Sequence, residues 1–137
     1  FTWGWILDRM SARGIDRFTA VRRLMFAATW LSLPLALVPF IPSFWLVMAE
    51  LFLAMFTTVG FVIPTVSYAV HVYTRAHSGL IAGLGAGSYG ASVALFMPLF
   101  GRLYDQHRWP EAHAIAALLP AVGFAAWCWI HRGTNRA

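Results

Sequence analysis

Residues 51–70 read LFLAMFTTVGFVIPTVSYAV, an unbroken run without Asp, Glu, Lys or Arg. A helix needs roughly 17 to 25 such residues to cross about 30 Å of hydrocarbon at about 1.5 Å per residue. Pro64 removes one backbone donor from this run and is expected to bend it. Outward from it, residues 24–49, 82–101 and 114–130 are equally free of the four charged residue types. The expected fold is an all-α integral membrane protein with four near-complete transmembrane helices at about 24–40, 44–70, 79–100 and 110–130, preceded by the end of a fifth at about 1–7.

Composition points the same way. The chain is 60% hydrophobic and 11% charged, more apolar surface than a soluble domain can hide. A formal charge of +5 raises the question of nucleic acid, and the placement of the basic residues answers it. All ten are Arg, and they lie between the apolar runs without interleaved aromatics on an exposed face. Their role is topological, and nucleic acid is not an expected partner. The single Cys128 leaves no internal disulfide and no Cys-based metal site. Phe1 to Leu7 is already apolar and meets Asp8 and Arg9, so it reads as the tail of a span whose beginning lies upstream.

A basic loop is expected over 8–23, carrying Arg9, Arg13, Arg17, Arg22 and Arg23 with Asp8 and Asp16. The first full span ends in the Pro39-Phe40-Ile41-Pro42 turn, short enough to make its neighbour antiparallel. Pro110 and Glu111 suit the first turn of the last span, the carboxylate facing the positive helix end. If loops alternate sides, eight Arg residues (9, 13, 17, 22, 23, 75, 132 and 136) fall on one side and two, Arg102 and Arg108, on the other. The positive-inside rule puts the first loop, the 71–77 loop and the C-terminus in the cytoplasm. Aromatic residues at the expected boundaries agree: Trp45, Tyr104 and Trp109 at the outer level, Trp5, Tyr68, Tyr73, Trp127 and Trp129 at the inner one.

Glu50 is the one carboxylate inside a charge-free region, about seven residues or roughly 10 Å from the outer end of its span. Ionisable groups at such depth face a bundle interior or an aqueous cavity and mark a substrate or proton path; the alternative is a structural group near the outer headgroups. Glu50, Ala54, Thr57, Phe61, Pro64, Tyr68 and His71 form one helical stripe, polar at four positions. Thr57 either serves a cavity or bonds its own backbone, and Tyr68 either joins it or anchors at the interface. In the third span Gly79, Gly83, Ala86, Gly90 and Ala94 make a small-residue face for helix packing. Tyr89 and Ser92 lie on a different face with Ser88 beside it, where they offer hydroxyls to a cavity. Gly83-Leu84-Gly85 lacks the preceding strand and following Lys of a phosphate loop. The five His residues show no paired zinc spacing and Ser, His and Asp no nucleophile elbow, so no catalytic residue, metal or cofactor is assigned and the chain is not read as an enzyme.

Gly4-Trp5-Ile6-Leu7-Asp8-Arg9, at the end of a span and before basic residues, resembles the G-x-L-x-D-R loop motif of the major facilitator superfamily. The family pattern continues with Gly and basic residues within a few positions, whereas here Met10, Ser11 and Ala12 precede Arg13-Gly14. Pro98-Leu99-Phe100-Gly101-Arg102-Leu103-Tyr104-Asp105 resembles the Pro-x-x-Gly-x-Leu-x-Asp ending of the family's eleventh helix. The resemblance spans the whole chain, residues 1–137. It implies a fragment of the C-terminal transmembrane domain, from the end of the eighth helix to the twelfth, within a six-helix half-bundle. The cadence is most similar to bacterial organic-anion symporters of the hexuronate type.

The resemblance further implies alternating-access transport of a small solute, an organic anion, coupled to a proton or cation, in the bacterial inner membrane. The partners it implies are that solute, the coupling ion, the lipid bilayer and the N-terminal half of the same chain. Glu50, Thr57, Ser88, Tyr89 and Ser92 become substrate or coupling candidates, and Gly4, Asp8 and Arg9 part of a cytoplasmic conformational latch. The competing class is a non-transporting membrane protein, either a membrane-embedded enzyme or a structural subunit.

The charge asymmetry yields a direct test. A Cys placed at position 13 in the protein in intact cells should react with a permeant maleimide and resist an impermeant one. Labelling by the impermeant reagent would invert the topology.

Overall fold

The computed structural model describes residues 2–73 and 77–131, and among them the chain is helices and turns without a strand. Helix α1 covers Thr2–Ala12, and α2 covers Arg17–Ser32 and runs directly into a 3-10 segment, Leu33–Phe40. Helices α3 (Phe44–Val72), α4 (Ser78–Asp105) and α5 (Trp109–Ile130) complete the chain. Four stretches are long and apolar enough to cross a membrane: Arg17–Phe40, Phe44–Val72, Gly79–Asp105 and Trp109–Ile130. Of the eight arginines assigned above to one side, Arg75, Arg132 and Arg136 lie outside the described residues.

The structure departs most from the sequence expectation at 8–23. This segment is helical apart from Arg13–Asp16, so α1 extends beyond 1–7 to Ala12 and the first long span begins at Arg17 rather than 24. Two caps explain the short connection. Gly14 adopts φ +76°, its N–H donates to the Ser11 carbonyl at 3.0 Å, and the Ile15 N–H reaches back to the Met10 carbonyl at 3.2 Å. This is a Schellman closure, which needs a left-handed residue where Gly stands. Asp16 then caps α2 by accepting from the Thr19 N–H at 3.1 Å. Charged residues mark where a helix leaves an apolar environment, not where its hydrogen bonding ends.

Proline explains the change of helix type within the first span. Pro34 has no N–H to offer the Trp30 carbonyl, and Leu33 donates to that carbonyl instead, one residue closer than in an α-helix. The tighter winding persists to Pro39 and ends with the Ile41 N–H on the Val38 carbonyl at 3.1 Å. With about 1.5 Å of rise per α residue and about 2.0 Å per 3-10 residue, the stretch reaches roughly 40 Å, ample for a hydrocarbon core of about 30 Å. The α4–α5 turn repeats the Schellman pattern with His107 at φ 56°, its N–H on Tyr104 at 3.0 Å and the Arg108 N–H on Leu103 at 2.9 Å. Helix α5 then opens with Pro110 in its first turn and the Arg108–Glu111 ion pair at 3.1 Å.

Helix α2 is the centre of packing. Its buried residues Ala20, Val21, Leu24, Met25, Ala28, Thr29 and Ser32 recur with helical period on one broad face. With Trp3 and Leu7 of α1 they form the core, against which Phe61, Ile63 and Tyr68 of α3 and Phe124 and Trp127 of α5 pack. Ser32, buried at the start of the 3-10 segment, donates to the Thr29 carbonyl at 2.8 Å and lies 3.3 Å from the Ala117 carbonyl of α5. Helix α4 borders α3 and α5 but is exposed or half-buried along its described length up to Leu103.

The two left-handed caps predict opposite outcomes. Left-handed strain in a non-Gly residue costs about 1–2 kcal/mol, offset by about 0.5–1 kcal/mol from lost glycine entropy. Thermal unfolding in detergent should therefore show Gly14→Ala destabilised by about 0.5–1 kcal/mol and His107→Gly stabilised by a similar amount.

Candidate functional site

The polar stripe of α3 is a real face, and it turns toward protein. Thr57 and Pro64 are buried along it, with Ala54, Phe61 and Tyr68 half-buried and His71 exposed. What the stripe meets is α1 and α2. The Trp3 indole, only 4% exposed, donates from Nε1 to the Phe56 carbonyl at 2.9 Å and lies 5.0 Å from the Phe56 ring centre with the two planes tilted by 33°. It sits over Gly60, where a Cβ would come within 2.6 Å of the ring atoms. Thr57 is 4% exposed and its hydroxyl donates to its own helix, to the Ala54 carbonyl at 2.9 Å. Its donor is spent within the seam.

Glu50, one and a half turns into α3, is half-buried and makes no hydrogen bond or ion pair among the described residues. The remaining cavity candidates lie on the open stretch of α4. Tyr89 is 68% exposed, and the hydroxyls of Ser88 and Ser92 donate to the Leu84 and Ser88 carbonyls at 2.7 and 2.9 Å. Among the described residues no hydrogen bond joins the α3 candidates to those of α4. The small-residue face of Gly79, Gly83, Ala86, Gly90 and Ala94 is exposed, and a Cβ added at Gly79, Gly83 or Gly90 would have nothing within 4 Å. No described helix is packed on it.

In the first turn of α1 Gly4 is half-buried, with nothing within 4 Å of a Cβ built on it, and further along the same helix Asp8 and Arg9 are exposed. The Arg9 guanidinium lies 5.0 Å from the centre of the Trp5 ring, a cation–π contact, and neither Asp8 nor Arg9 has an ion-pair partner among the described residues. The carboxylate and guanidinium of this motif are thus presented outward.

Two features escaped the sequence reading. Trp3 is one; its signal is the i, i+4 pair of apolar residues Trp3 and Leu7 on α1 and the i, i+4 pair Gly60 and Pro64 on α3, all four buried. The other is a cluster of four rings from α2, α3 and α5 at one end of the bundle. Phe18, Tyr68, Trp127 and His131 are all mutual neighbours, with centroid separations from 4.2 Å (Trp127 to His131) to 6.3 Å (Phe18 to Trp127). The His131 Nδ1 is 2.9 Å from the Trp127 carbonyl, and Arg17 hydrogen-bonds the adjacent Ser67 hydroxyl. The sequence reading had put Tyr68 and Trp127 at the same level as independent anchors; their contact is tertiary.

No group of three His, Cys, Asp or Glu among the described residues is placed to hold a metal ion. The fold and these surfaces define a class: an all-helical protein whose long apolar helices suggest a membrane protein. Comparison with protein-family models, with curated proteins and with solved structures finds no match to this chain.

The Trp3–Gly60 contact makes a quantitative expectation. Gly60→Val overpacks a buried ring and should destabilise by about 1–3 kcal/mol in detergent unfolding. Gly123→Ala, where nothing lies within 4 Å of the new Cβ, should gain up to about 1 kcal/mol of helix propensity.

Proposed function

We propose that this chain is part of a secondary transporter of the major facilitator type, moving a small organic anion by alternating access with a proton or cation as coupling ion. In this reading α1 to α5 correspond to the family's eighth to twelfth helices and the protein resides in a cytoplasmic membrane. The observation that carries it is the position of Asp8 and Arg9. They close a Gly4 to Arg9 motif at the end of α1, on the Arg-rich side of the charge map, exposed and without ion-pair partners among the described residues. A latch requires charges that are available to another part of the protein in one access state and released in the other. The bare small-residue face of α4 also supports the reading, because a helix between two halves needs a surface on which a second backbone can approach closely.

Glu50 is the coupling candidate, half-buried and unpaired in α3. A lone carboxylate within a span is the kind of group that marks a substrate or coupling-ion path. The inward turn of the α3 stripe favours a second reading, a structural membrane subunit whose polar residues only serve packing. Thr57, with its donor already used, fits that reading better than a ligand role.

Transport assays in proteoliposomes separate the two. Asp8→Asn should slow counterflow of a labelled hexuronate-class anion by roughly tenfold, the effect of about 1.4 kcal/mol on the cycle, with little change in half-saturation. Glu50→Gln should retain counterflow and lose accumulation driven by a proton gradient. Uptake by neither parent nor variants across a panel of organic anions would favour the structural reading, and equal rates for Asp8→Asn and parent would remove the latch.

A further inference from the structure

An open groove of about 320 Å³ lies where the middle of α2 passes the last third of α5, lined by Arg22, Arg23, Phe26 and Phe124. The two arginines precede Phe26 by four and three residues, so their stems flank its ring from one turn nearer the helix start. Phe26 is 51% exposed, and its centroid is 5.7 Å from that of Phe124 across the helix pair. Trp30, another turn along, continues the aromatic wall at 6.1 Å from Phe26. Arg22 and Arg23 are exposed and make no hydrogen bond or ion pair among the described residues. Helix α2 itself carries no carboxylate, and Asp16 before it is engaged in capping the helix.

We propose that this groove binds one anionic phospholipid, its phosphate held by Arg22 and Arg23 and one acyl chain lying against Phe26 and Phe124. The site has two parts in sequence along α2, the cations of Arg22 and Arg23 first and the rings of Phe26 and Trp30 after them. A free phosphate uses only the first part, and a neutral lipid or an apolar helix only the second. Guanidinium groups bind phosphate oxygens through paired N–H donors, and basic pockets between spans at the membrane surface attract anionic headgroups. The charge map places both arginines at the cytoplasmic surface, where the leaflet carries such lipids. The inference rests on the membrane reading of the long helices and is independent of what the protein transports.

The test uses the purified protein in maltoside detergent, with bound lipids counted by native mass spectrometry. Dioleoyl-phosphatidylglycerol, dioleoyl-phosphatidylcholine and glycerol 3-phosphate are titrated separately. One phosphatidylglycerol should bind ahead of any phosphatidylcholine, and glycerol 3-phosphate should not bind in the same range. At about fivefold per arginine, Arg22→Gln/Arg23→Gln should weaken the first phosphatidylglycerol by about thirtyfold. The Arg22→Lys/Arg23→Lys variant should recover most of that loss, and Arg102→Gln/Arg108→Gln should leave binding unchanged. Phe26→Ser, which keeps both charges, should weaken binding of the lipid as well.

Equal binding of the two lipids overturns the proposal, as does glycerol 3-phosphate binding as well as the lipid. Full binding by a folded Arg22→Gln/Arg23→Gln variant, or a protein dimer that phosphatidylglycerol does not disperse, overturns it too. Alkaline carbonate extraction of cell membranes keeps the two levels apart. A chain released by carbonate removes the membrane reading and the site together, whereas a chain retained with no lipid preference removes the site alone.

Discussion

A peptide group carried into an apolar environment must find its hydrogen-bond partner within the protein, and in long apolar runs the nearest partners lie on the same helix. The architecture follows from meeting that demand despite seven prolines in 137 residues. At Pro34 the carbonyl left by the missing donor is taken by a 3-10 bond, and the tighter helix that results carries the chain to Phe40. At Pro110 the missing donor lies in a first turn, where no partner was due. Within α3 the helix continues through Pro64, whose ring is fully buried in the seam, so the position that weakens the backbone is the one packing holds most firmly.

That seam joins α1 to the rest. Trp3 brings a large flat ring and one donor to a place on α3 where Gly60 leaves room and the Phe56 carbonyl accepts. Small residues do the corresponding work on α2, where Ala20 and Ala28 are fully buried and let neighbouring helices come close. The ring cluster of Phe18, Tyr68, Trp127 and His131 ties α2, α3 and α5 at the other end of the same core. Helix α4 shares in little of this. Like its neighbours it is long and apolar enough to cross a membrane, yet its small-residue face has no described helix against it.

The division has a functional reading. Charges without an ion pair and small faces without a packed helix among the described residues, Asp8, Arg9, Arg22, Arg23 and the α4 glycines, are the surfaces available to lipid or to further protein. Among the residues that a sequence reading would first call polar and therefore functional, Thr57 is one the fold has already consumed. Polarity in an apolar helix is ambiguous for a physical reason: a hydroxyl can satisfy its donor on its own backbone, four or three residues back, and then behaves as a packing group.

Some of this was legible from the residues alone. Run lengths free of charge determined four long apolar helices, the α3 stripe was recovered as one coherent face, and Glu111 stands in the first turn of α5 as its charge suggested. All three depend on the order of residues along one helix, which local sequence encodes. The true extent of α1 and α2 was encoded too, in Gly14 and Asp16, but counting charges hid it because arginines at a helix end look like a loop. Which side of each helix meets which neighbour was not encoded locally. Trp3 on Gly60, the four-ring cluster and the groove beside Arg22 and Arg23 join residues from different helices, separated by 50 or more positions in the first case and about a hundred in the last. Only the tertiary structure decided those, because a helix's apolar faces are interchangeable until the shapes of two particular surfaces are brought together.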